Sequence, residues 1–244
     1  MAVWPTTLAQ YPLVDGYEEA YIENAIHSTM SIGRKNRLRD TSVFKTYKIK
    51  IQVPTSDKDT LKGFWRDTLN NGTDAFDWTR FDDPTTPHSY RMFEDPDMMP
   101  VAPKLWRVTL NLCDAAPQRV IDTSVVPPAA VWPADIPAYS EVSGFKEKWN
   151  GFALRSGISV GQTSRSRGSF TDRQISVQVP RMTLSQKQSF EAFYEDDTIL
   201  GSRSFTHNGW SDDGSTETYV FLAPPKFKSH GAQIFTLNLD LVTQ

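Results

Sequence analysis

Cysteine, histidine, long apolar runs and an excess of positive charge are all scarce in this chain, and each scarcity removes a class of protein. The one cysteine, Cys113, cannot close an intrachain disulfide, and the opening Met1-Ala2-Val3-Trp4-Pro5 lacks the basic and apolar regions of a secretory signal. Folding in a reducing compartment is therefore expected. The longest apolar run, Val125 to Trp132, contains Pro127 and Pro128 and falls far short of the roughly 20 residues that cross a bilayer, so no membrane insertion is expected. The four histidines, His27, His88, His207 and His230, show no zinc-ligand spacing, and surface or loop positions are the favoured reading. With 26 basic and 29 acidic side chains the net charge is -3, which argues against a strongly basic nucleic-acid binder. Hydrophobic residues at 39% and charged residues at 23% describe an ordinary folded chain. Its 244 residues suffice for one large domain or for two of about 120 residues.

What is present is an internal repeat. Trp4-Pro5 recurs as Trp132-Pro133, Gly16-Tyr17 as Gly144-Phe145, Ser31-Ile32-Gly33 as Ser159-Val160-Gly161, and Arg37 and Arg39 as Arg165 and Arg167, all shifted by 128. Ile49, Ile51, Val53 and Pro54 then match Ile175, Val177, Val179 and Pro180 at 126, as if the second copy had lost two residues. Phe64-Trp65, Asp67, Gly72, Phe76, Phe81, Asp83, Tyr90 and Pro96 match their counterparts from Phe193 to Pro225 at 129, and Thr109-Leu110-Asn111-Leu112 matches Thr236-Leu237-Asn238-Leu239 at 127. The sequence divides into one unit over 1–114, a second over 132–244, and a proline-containing linker over 115–131 that is expected to be extended and stiff.

Each unit reads as α+β, mainly β. Tyr47, Ile49, Ile51 and Val53 alternate with polar residues, as do Ile175, Val177 and Val179, which predicts half-buried strands. A helix follows in both copies. Leu61, Phe64, Trp65 and Leu69 form its apolar stripe in the first, with Ser56 or Asp57 as cap and Asn70-Asn71-Gly72 as stop. In the second, Thr183 and Gln186 form a capping box and Gly201 ends the helix. Acidic tips at Asp82-Asp83-Pro84 and Asp212-Asp213-Gly214 predict hairpins, and closing strands alternate from Trp106 to Leu112 and from Phe235 to Leu241.

No catalytic, cofactor or metal constellation stands out. Gly157-Ile158-Ser159-Val160-Gly161 fits the pattern of a hydrolase nucleophile elbow, but a polar stretch without helical periodicity follows it, so an ordinary strand serine is preferred. The carboxylates Asp82, Asp83, Glu94, Asp95 and Asp97 lack the alternation around a glycine that calcium loops use. Asn71-Gly72-Thr73 is read as helix-stop chemistry rather than as a glycosylation site. Arg34, Lys35, Arg37 and Arg39, with Lys45, Lys48 and Lys50, and in the second copy Arg165, Arg167 and Arg173, form basic arms. Without interleaved stacking residues, they are expected to contact an acidic neighbour in an assembly.

The order Gly-aromatic turn, polar connection, alternating strand, aromatic helix, Gly72, Phe76, acidic loop and closing strand Trp106 to Leu112, repeated from Gly144 to Leu241, resembles the minor tail protein family of lambda-like phages. The resemblance implies two tandem tail-tube-like β-sandwich or barrel units, each with one flanking helix. It also implies a non-enzymatic virion protein at the tail tip, assembled in the bacterial host cytoplasm. Its partners would be copies of itself, the tail tube protein and a hub or fibre protein, with phage DNA passing through the lumen without sequence-specific binding. A six-fold tube meeting a three-fold hub favours a homotrimer whose six units make a pseudo-hexameric ring, with a homohexamer in two stacked rings as alternative. A second reading is a carbohydrate- or receptor-binding module using Trp78, Trp149 and Trp210 beside the acidic loops, and a third is a hydrolase using Ser159.

Overall fold

The computed structural model describes residues 2–23, 25–27, 36–79, 86–124, 128–137, 145–155, 164–208, 210, 215–231 and 233–243; for 25–27, 36, 149–155 and 164–172 it describes the backbone alone. The first half comprises β1 (Ala2–Val3), β2 (Tyr17–Tyr21), β3 (Ala25–His27), β4 (Asn36–Leu38), β5 (Ser42–Val43), β6 (Lys45–Pro54), α1 (Thr55–Gly63), β7 (Phe76–Thr79), β8 (Pro87–Met92), β9 (Asp97–Ala102) and β10 (Leu105–Asp114). Two short strands, β11 (Arg119–Val120) and β12 (Ala130–Val131), fall in the expected linker. The second half holds β13 (Phe145–Arg155), β14 (Ser164–Thr183), α2 (Leu184–Ala192), β15 (Phe205–His207), β16 (Glu217–Phe221), β17 (Lys226–Ser229) and β18 (Ile234–Thr243). The chain is α+β, mainly β, as the alternation patterns predict.

Long ladders run through both halves in corresponding register. Tyr17 lies opposite Ile49 and Phe145 opposite Val177; Leu110 lies opposite Ile49 and Leu239 opposite Val177. The outer hairpins correspond as well, Ala25 facing Leu38 and Ala153 facing Ser166. These pairings correct two of the sequence matches. Ile49 corresponds to Val177 rather than Ile175, and Leu110 to Leu239 rather than Leu237, so the shifts are 128 and 129 instead of 126 and 127. Side chains repeat every second residue along a strand, so a slip of two leaves the apolar pattern intact and deceives a sequence comparison. The second half has gained a residue rather than lost two. Where Ile51 and Val53 face Val108 and Trp106, Val179 and Met182 face Leu237 and Phe235, with the extra residue in a bulge at Pro180-Arg181.

Following the hydrogen-bonded neighbours, eight strands form one antiparallel run, β9-β10-β6-β2-β17-β18-β14-β13, that crosses from one half to the other. The remaining sheet strands, β8-β7-β1 beside β10 and β16-β15-β12 beside β18, branch from it. Among the described residues the sheet remains open and does not close into a barrel.

One face of the eight-stranded run is apolar. Tyr47, Ile49, Ile51, Val53, Val108, Leu110, Leu112, Ile175, Val177, Leu237 and Leu239 are all buried there. Each helix packs on it: α1 against β6 and β10, α2 against β14 and β18. Each helix continues into a π-helical turn, Phe64–Thr68 and Phe193–Asp197, and both stops use left-handed residues, Asn70, Asn71 and Gly72 in one and Ile199, Leu200 and Gly201 in the other. The expected Thr183–Gln186 capping box forms. The expected Ser56 or Asp57 cap does not: Pro54 occupies the cap position of α1, and the Ser56 hydroxyl donates to Asp57 instead.

The linker is docked rather than free. Ala115 N donates to Ser89 O, Gln118 N to Val43 O and Ile121 N to Thr41 O, β11 pairs with β5, and β12 joins the second half beside β15. Its first part is thus fastened to one half and its last part to the other.

Candidate assembly interface

The two halves meet where β2 of the first pairs with β17 of the second, Glu18 opposite Lys228, Glu19 opposite Phe227 and Ala20 opposite Lys226. Alternation sends Glu19 and Tyr21 to the helix-covered face, where they meet α2 and its π-turn. Lys187 of α2 is fully buried and donates to Glu19 at 2.9 Å and Glu191 at 3.0 Å, packing over the rings of Phe227 and Phe235. Lys45, 1% exposed at the start of β6, lies 2.8 Å from Glu19, also reaches Glu191, and sits over the Tyr21 ring. Tyr21 donates to Glu195 and packs against Tyr194, with ring centroids 4.7 Å apart. At the rim, Arg119 of the linker reaches Glu195 and Asp196.

Buried charges persist only when paired, and here each carboxylate touches cations from across the junction. Burial alone would raise the Glu19 carboxyl, but Lys187 and then Lys45 hold it well below the usual range. Burial likewise works against the Lys45 ammonium, and Glu19 and Glu191 outweigh it, leaving its pKa raised. Burial, Glu191 and Glu195 drive the Tyr21 phenol well above its ordinary value, so it stays a donor. Glu195 is raised mainly by burial.

The opposite face of the eight-stranded run is mostly polar, with Ala20 and the exposed Met99 among its apolar members. Cross-strand neighbours place Lys48, Lys50, Arg107, Lys146, Lys148, Lys226 and Lys228 on it with Glu18, Asp97 and Asp240. Among these described residues cations outnumber carboxylates, although the whole chain is acidic.

The basic arm residues do not share one environment. Arg37 and Arg39 are exposed, on and just after β4 of the outer hairpin. Arg165 and Arg167 lie on the outer part of β14, which pairs with β13; Arg34 and Lys35, like Gly157 to Gly161 and both acidic tips, fall outside the described residues. Arg173 turns inward: it is 6% exposed, bonds Glu147 and Glu217, and donates to Trp210 O. Lys45, counted with the first arm, is the buried ion at the junction. Their partners are remote in sequence, Glu191 being 146 residues from Lys45, so the sequence alone reads both as surface cations.

Two of the three tryptophans proposed for sugar stacking are core residues. Trp78 stacks on Trp4 at 4.0 Å between centroids, and Trp210 packs on Trp132 at 4.9 Å. The Trp149 side chain lies outside the described residues. Among those described, no group of three metal-ligating side chains occurs and no helix is long and apolar enough to cross a membrane. His88 bonds Asp114, and His230 bridges Asp15 and Thr236. No protein-family model matches the chain, and no curated protein matches it in sequence.

Proposed function

We propose that this protein is a structural ring component of a tailed bacteriophage, placed at the distal tail where the tube meets the hub or fibres. The observation that carries the reading is the eight-stranded run: two halves joined head to tail through unlike edges, β2 and β17, with an unlike pair of edges, β9 and β13, left at its ends. A head-to-tail interface that repeats with rotation generates a closed ring. The helix-covered face is packed, which leaves the polar face to line a channel, and its cations would offset phosphate charge along a passing duplex without reading bases. Three chains would supply six similar units, and differences between the halves would supply three-fold character. Mass measurement and electron microscopy of the purified protein test this. A ring near 83 kDa, about three times 27.6 kDa, supports the pseudo-hexameric trimer; about twice that mass replaces it with stacked rings, and a monomer at all concentrations removes the ring.

A further inference from the structure

The junction inside the chain is a template for a second junction that one chain cannot make with itself. β13 stands in its half where β2 stands in the other, and β9 stands where β17 does; β2 and β17 pair, while β13 and β9 are the two ends of the run. Beside β9 lies a cavity of about 390 Å³ lined by Lys58, Lys62, Trp65, Arg66, Met98 and Trp106, among others. The corresponding residues of the second half are Lys187, Glu191, Tyr194, Glu195, Phe227 and Phe235, the groups that receive Glu19, Tyr21 and Lys45 at the internal junction. Among the described residues no strand fills the same receptacle in the first half, where Met98 lines it and Met99, on the other face of β9, is 57% exposed.

We propose that this cavity receives β13 of a second copy of the chain, with Glu147 and Trp149 taking the places of Glu19 and Tyr21. The proposal rests on the ring-forming part of the function above and not on its place in a phage. Carrying the internal register across puts Lys148 opposite Asp97, Glu147 opposite Met98 and Lys146 opposite Met99. Pro100, which has no N–H to donate, then falls where Ser229 does, one residue past the last pair of the template. Lys58 corresponds to Lys187, so Glu147, whose side chain is 20% exposed, gains the ammonium that Glu19 has.

Where the two sites differ, the differences compensate. Tyr21 donates its hydroxyl to Glu195. At the new site Arg66 stands in place of Glu195, and Trp149 holds the register position of the tyrosine on β13. Lys45 needs Glu191, whereas Arg173 is already paired by Glu147 and Glu217 in its own half and tolerates Lys62 in that position. The exchange makes the two junctions distinct, so β13 prefers β9 of another chain to displacing β2 from β17.

A cysteine pair reads the register directly. In a Cys113→Ser background, Met99→Cys with Lys146→Cys should give disulfide-linked dimers and higher species on oxidation of the concentrated protein, while Val120→Cys with Lys146→Cys, which uses an exposed position outside the junction, should give few. Absence of linkage above that control overturns the proposal. Trp149→Ala and, separately, Lys58→Glu should weaken self-association by about tenfold or more with an unchanged circular dichroism spectrum of the monomer. Rings that form normally in both variants overturn the proposal while leaving the ring reading intact. Linked species that never close into a ring support the strand pairing and overturn the ring instead.

Discussion

Replacing Glu19 by Gln tests the energetics of the internal junction most sharply. Glu19 is buried, accepts from the Tyr17 hydroxyl at 2.7 Å, and is bonded by Lys45 and Lys187 at 2.8 and 2.9 Å. The amide keeps the shape and removes the charge, so two buried ammonium groups remain with Glu191 as their shared carboxylate. Breaking a buried pair from one side costs about 3–5 kcal/mol, a large part of the ~5–15 kcal/mol that holds a domain folded. With a urea slope of about 3 kcal/mol per molar, the unfolding midpoint at pH 7 should fall by about 1–1.7 M, read by tryptophan fluorescence. The sign of the pH dependence follows from the lowered Glu19 carboxyl. Its contribution is present above the unfolded carboxylate value of about 4.3 and is lost as pH falls through the lower folded value, so the gap between wild type and variant should narrow only under acid conditions. A midpoint shift below about 0.3 M at pH 7, or a gap already closed near pH 6, would refute a dry, paired cluster at the junction.

Other outcomes follow from the same contacts. Gly201→Ala, at φ +74° with Tyr194 and Phe221 only 3.0 and 3.2 Å from the added methyl, should lose about 1–3 kcal/mol, whereas Gly63→Ala, in α1 where the methyl would meet only Asp67 Oδ2 at 3.9 Å, should gain about 0.5–1 kcal/mol by thermal unfolding. Arg173→Ala should destabilise the fold by about 3 kcal/mol because Glu147 and Glu217 lose their cation, while the exposed Arg37→Ala should stay within about 0.5 kcal/mol; equal effects would return Arg173 to the surface. Burial and then Asp114 push the Cys113 thiol up, so alkylation at pH 8 should be slower than for a free cysteine and should accelerate only at higher pH.

Local chemistry was legible in the sequence, and long-range pairing was not. The Thr183 capping box and the stop at Asn70-Asn71-Gly72 are visible because their partners lie within a few residues. Alternation from Tyr47 to Val53 identifies a strand and its buried face, yet carries no information on a slip of two, and the bulge that resolves the slip has no signature beyond Pro180. The junction ions were missed for a different reason. A lysine amid polar residues reads as solvated, and only the fold brings Glu19, Glu191 and Lys187 around Lys45. Glu19 sits in the same alternating stretch as Tyr17 and Tyr21, and a carboxylate in the buried register of an aromatic strand was the available clue. Aromatic residues beside acidic loops suit ligand stacking, but Trp78 and Trp210 each pack with the Trp-Pro segment of their own half.

The docked linker sets the order in which joints can form. Because β11 is fastened to β5 and β12 to β15, the β2–β17 joint closes within one molecule, at an effective concentration fixed by the tether rather than by the number of copies in the cell. A joint between chains has no such help and depends on protein concentration. A tandem chain can therefore complete half the joints of a ring while still dilute, and leave the other half to respond steeply to the accumulation of subunits. In the proposed ring, that separation would let an interface too weak to assemble isolated halves still close the ring once the protein is abundant.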